Sequence, residues 1–134
     1  MPDRTTAASE VLRAEMKQIY AQKFAVTYST GDSGYVYSDR VPPGMVLRVR
    51  VFLAYAPERE ASDDIVMGIE NGGEKVIVRA SAPLATQKGL ANDNPFWVGE
   101  GDRLFAYFPD ADDTDTLEIH IAGAITTLKE WQES

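Results

Sequence analysis

From Phe24 to Ile121 apolar residues recur at every second position in short runs, and turns rich in Gly, Pro or Asp separate one run from the next. A period of two belongs to strands that bury one face. About seven or eight such runs at roughly even spacing point to an antiparallel two-sheet sandwich. Their uneven lengths favour a jelly-roll-like winding over a closed up-and-down barrel. In the longest run Met45, Leu47, Val49, Val51, Leu53 and Tyr55 are expected to face the core. Val46, Arg48, Arg50, Phe52 and Ala54 are then expected to face water or a polar partner. Ile65, Met67 and Ile69 meet Val76 and Val78 across Asn71-Gly72-Gly73, where a hairpin turn is expected because its central positions need positive φ.

Ahead of the strands, Ala8, Leu12, Met16, Ile19 and Tyr20 recur at three- and four-residue spacing. That pattern predicts one amphipathic helix from about Thr6 to Gln22, capped by Thr5 or Thr6. The expected organisation is an N-terminal helical arm (1–23), a β-sandwich domain (24–125) and a C-terminal tail (126–134). Val41-Pro42-Pro43-Gly44 reads as a connection, since two prolines cannot donate to a central ladder. Pro95-Phe96-Trp97-Val98 reads as a short strand, with Trp97 packed near a sheet end.

Composition excludes several classes of function. The chain has 134 residues, no cysteine and a net charge of −8. Disulfides and thiolate chemistry are thereby absent, and an acidic surface repels nucleic acid. No run approaches the ~18 apolar residues of a membrane span. The start, Met1 to Met16, has no basic-then-apolar leader, so the expectation is a protein made in the cytoplasm without a signal peptide.

The chemistry-bearing residues are sparse. His120 is the one histidine; it lies between Ile119 and Ile121 on the outward side of the last strand, with no nucleophile elbow in the chain. It reads as a surface residue, and no catalytic residue, cofactor or enzymatic activity is expected. Asp110, Asp112 and Asp115 have the oxygen density calcium prefers, but Asp115 stands where an EF-hand needs glycine, so the segment reads more simply as a solvated turn. Phe96 and Trp97, or Tyr35 and Tyr37, would suit a sugar ring; aromatics of this kind are also ordinary sandwich core and rim.

Three features carry a resemblance. Val41-Pro42-Pro43-Gly44-Met45 opens a long strand, Ile65 to Arg79 forms a strand–turn–strand unit, and Phe96-Trp97-Val98-Gly99-Glu100-Gly101-Asp102-Arg103-Leu104 leads into the closing strands. Together they resemble the small β-sandwich structural proteins of tailed bacteriophage virions, of the decoration, neck or fibre-anchoring type. The resemblance spans roughly Tyr35 to Gly123 and leaves out the predicted helix. It implies a non-enzymatic virion subunit whose partners are other virion proteins and copies of itself. Leu12, Met16, Ile19 and Tyr20 are then the candidate partner-interface residues. The competing class is a carbohydrate-binding module gripping a surface glycan; a cupin-like enzyme would need several metal-binding histidines.

Overall fold

The computed structural model describes residues 18–57, 64–81 and 88–127. Within them the period-two runs form β1 (Gln18–Thr27), β2 (Tyr35–Tyr37), β3 (Met45–Tyr55), β4 (Ile65–Asn71), β5 (Glu74–Ser81), β6 (Gly89–Asn92), β7 (Phe96–Val98), β8 (Arg103–Tyr107) and β9 (Thr116–Thr127). The strands make two antiparallel sheets. Sheet A has the order β1-β9-β3-β6, with β7 also on β3; sheet B has the order β2-β8-β4-β5. The chain changes sheet at every connection except β4–β5 and β6–β7, and the last strand lies beside the first. That is the winding of a jelly roll.

The core lies between the sheets. Leu47, Val49, Phe52, Leu117, Ile119 and Ile121 from sheet A meet Val36, Ile65, Met67, Leu104 and Phe108, on or beside sheet B. Each side chain buried here contributes roughly 1.5–3 kcal/mol of transfer free energy. The hairpin forms as expected: Asn71 pairs with Glu74, and Gly72 and Gly73 between them have φ of 56° and 99°.

Two expectations are corrected. The predicted helix is strand over Gln18 to Gln22, paired residue by residue with β9; its earlier part, with Leu12 and Met16, lies outside the described residues. The reason is geometric. Residues four apart share a face in a helix and in a strand alike, so Tyr20 and Phe24 fit both periods. Ile19 and Tyr20 separate the two, because adjacent residues in a strand face opposite ways.

The second correction concerns β3. Val46, expected in water, is 5% exposed; from Leu47 to Val49 the expected faces hold, and then they exchange. Val49 pairs with Gly123 and Val51 with Ala122, leaving Arg50 as an extra residue in a β-bulge. One inserted residue inverts every later side chain. Phe52 and Ala54 are therefore fully buried, whereas Val51 is 45% exposed.

Candidate interaction surface

The register places the outward residues of sheet A in rungs that cross the strands. One rung runs Ile19, Ala124, Arg48, Trp97, and the next runs Ala21, Ala122, Val51. A third holds Lys23, His120, Leu53 and Ala91. The first two rungs are apolar apart from Arg48, which lies between Ala124 and Trp97, and Ile19 is 92% exposed and Trp97 47%. Ile19, Ala21, Arg50, Val51, Pro95 and Ala122 line a shallow open groove of about 640 Å³. Contiguous apolar surface of this kind marks a contact site more often than scattered single side chains do.

The bulge builds this surface. Were Arg50 an ordinary paired residue instead of a bulge, Val51 would point inward and Phe52 outward. Gly123 permits it: a Cβ there would lie 1.9 Å from the Arg48 carbonyl oxygen. Polar groups bound the apolar part. Lys23 Nζ lies 3.0 Å from Glu118 Oε1, and His120 Nε2 lies 3.9 Å from the same oxygen. Arg48 holds its guanidinium carbon 5.7 Å from the Trp97 ring centroid.

Of the residues singled out from the sequence, Ile19 faces outward and Tyr20 inward, so they share no stripe. Burial raises the Tyr20 phenol pKa, with Asp39 adding to the effect. Trp97, expected to be packed, is displayed instead. Phe96 turns inward against the core, its ring 6.3 Å from that of Phe52. The turn carboxylates serve the backbone: Asp115 Oδ2 accepts from the Asp112 N–H at 2.9 Å, and Asp113 Oδ1 from the Thr30 N–H at 3.1 Å. The described residues hold no group of three or more His, Asp or Glu suited to a metal ion. Asp110 lies half-buried in the same segment.

Sheet B presents a different outer face. Tyr35 stacks on Tyr37 at 5.7 Å and on Tyr107 at 4.6 Å. Arg103 lies 3.8 Å over the Tyr37 ring, and Lys75 lies 4.9 Å over Tyr35. Ring faces engaged in this way with one another and with cations are poor platforms for a sugar. Behind them Glu70, 5% exposed, binds Arg103, Arg40 and the Gly73 N–H. The Arg103 hydrogen bond lowers the Glu70 pKa most, with Gly73 and Arg40 contributing, against desolvation. Asp102 nearby is raised, by burial first and Glu70 next, while Arg40 opposes the rise.

Sequence reasoning missed Val51, Ala122 and Ala124 as surface residues. A signal was present: Phe52, Ala54 and Ala56 form a second alternating series, out of phase with Leu47 and Val49.

No protein-family model matches the chain, and no curated protein matches it in sequence. Among solved structures it is similar to a chain of the acid-stable capsid of the Helicobacter pylori bacteriophage KHP30. The TM-score is 0.52 at 15% identity, over 84% of this chain and 94% of that one. The two share a fold. It is also similar, with a TM-score of 0.38 and 15% identity over 84% and 82% of the chains, to a family 29 carbohydrate-binding module. A chain of the extra small virus particle of the prawn Macrobrachium rosenbergii gives 0.39 at 11% identity, over 81% and 78%.

Proposed function

We propose that this chain is a non-enzymatic structural subunit of a bacteriophage virion, of the decoration, neck or fibre-anchoring type, acting through protein–protein contacts. The observation that carries the reading is the exposure of Ile19, Val51 and Trp97 on one outward sheet face, with alanines between them. Tryptophan and arginine side by side on such a face are the residue types that dominate contact energy. The jelly roll shared with a phage capsid chain supports the same reading. Its partners are other virion proteins and copies of itself, with no part for nucleic acid, membrane, cofactor or metal. The test is mass spectrometry of density-purified particles: the chain co-purifies with the major capsid protein at many copies per particle. Its confinement to the soluble fraction of the lysate would exclude the reading.

A second reading, a carbohydrate-binding module, is favoured by one observation, the half-exposed Trp97 ring. Against it, Arg48 lies over that ring and the tyrosines of sheet B are stacked on each other.

A further inference from the structure

We infer that the C-terminal segment, residues 128–134, turns back over the outer face of sheet A and covers the end of that face at Val46 and Thr126. These two residues carry the inference. They pair across β3 and β9, and alternation puts both outward, Val46 beside inward Leu47 and Thr126 two residues on from Ala124. Yet Val46 is 5% exposed and Thr126 8%. Val46 is not among the side chains packed together between the sheets. Phe105 is the matching case on sheet B: it faces outward, is fully buried, and has Tyr35, Tyr37 and Lys75 against its ring. Among the described residues Val46 and Thr126 have no such cover. Ala124 is too short to provide it, and Arg48 and Trp97, one rung along, are themselves exposed, with Trp97 two strands from Thr126.

The exposures are those of a single chain, so the cover belongs to this chain. Residues 58–63 and 82–87 connect at the other end of β3, where Tyr55 pairs with Gly89. Val46 is roughly 27 Å from there along the strand, farther than so short a loop reaches and returns. The N-terminal segment joins at Gln18 on the edge strand β1, with β9 between it and Val46. The C-terminal segment leaves from Thr127, which pairs with Met45 beside Val46. Alternation carries Leu128 to the side of Thr126, and Trp131 follows three residues on. The Thr126 hydroxyl has no hydrogen-bond partner among the described residues, which fits a cover of leucine and indole rather than of Lys129 or Glu130. The tail thus takes one end of the face and leaves the groove of Ile19, Val51 and Ala122 open to a partner, whether or not that partner is a virion protein.

Thiol reactivity tests the inference. The chain has no cysteine, so a single introduced thiol reports one position. In the full chain Val46→Cys should react with a maleimide about tenfold or more slower than Val51→Cys in the open groove. Adding Trp131→Asp should bring the two rates together, whereas adding Met16→Asp in the N-terminal segment should leave Val46→Cys protected. Circular dichroism checks the fold of each variant. A second measurement needs no introduced thiol: in a Trp97→Phe background Trp131 is the one tryptophan, and its emission should be blue-shifted and poorly quenched by acrylamide. Val46→Cys reacting as fast as Val51→Cys overturns the inference, as does protection released by Met16→Asp instead of Trp131→Asp. Emission from Trp131 typical of an indole in water overturns it too.

Discussion

Val49 and Val51, two residues apart on β3, face opposite sides of the sheet. An uninterrupted strand would put both on one side, so the bulge at Arg50 decides which residues are core and which are contact surface. Stability measurements should show the exchange directly. Phe52→Ala is expected to cost about 3–5 kcal/mol in denaturant unfolding, as large buried side chains do. Val51→Ala should stay within about 0.5 kcal/mol of wild type, as exposed positions do. The reverse ranking would place the bulge wrongly.

Gly123 is the second requirement of the bulge. Adding a methyl group at this position drives it into the backbone carbonyl of Arg48, which has no rotamer by which to escape. Gly123→Ala should therefore cost at least about 2–3 kcal/mol, more than ordinary overpacking against a flexible side chain. Thermal unfolding of this single variant is sufficient to check it.

The ion cluster on sheet B predicts a pH dependence. The Glu70 pKa in the fold lies below its ordinary value of 4.5. Its stabilising contribution is thus present above the unfolded pKa and lost as pH falls through the lower, folded one. Asp102 works in the opposite sense: its raised pKa favours the fold on the acid side, and that contribution is lost as pH rises through the folded value. Glu70→Gln should lower the thermal midpoint at neutral pH, with the gap to wild type closing below about pH 4. A gap of constant size from pH 3 to pH 7 would show that the carboxylate charge contributes nothing.

Trp97 separates the two functional classes. In a Trp131→Phe background its emission should be that of a half-exposed indole and should not respond to oligosaccharides. A saturable shift with a glucan or mannan, abolished by Trp97→Ala, would move the assignment to a carbohydrate-binding module.

The sandwich was legible because alternation, proline breaks and the Asn71-Gly72-Gly73 turn are local signals, each complete within a few residues. The contact face was not, for two physical reasons. A bulge is set by pairing with β9, which lies some seventy residues away in sequence, and leaves only a phase change in the apolar pattern. Spacing of four residues fits a helix and a strand equally, so the first half of β1, Gln18 to Gln22, reads as helix in sequence, and only its pairing with β9 makes it strand. Trp97 was misplaced for a related reason: its neighbours Phe96 and Val98 do turn inward, and only the pairing with Arg48 shows which way the tryptophan points.

The role proposed for this chain is protein contact through the outer face of sheet A. It is tested most directly by particle incorporation. Wild type, Val51→Glu and Ile77→Glu, each supplied in trans to particles lacking the native chain, would be quantified against the major capsid protein after gradient purification. Wild type and Ile77→Glu should be incorporated at equal levels, with Val51→Glu remaining folded in the soluble fraction. Val51→Glu incorporated at the wild-type level would contradict the claim.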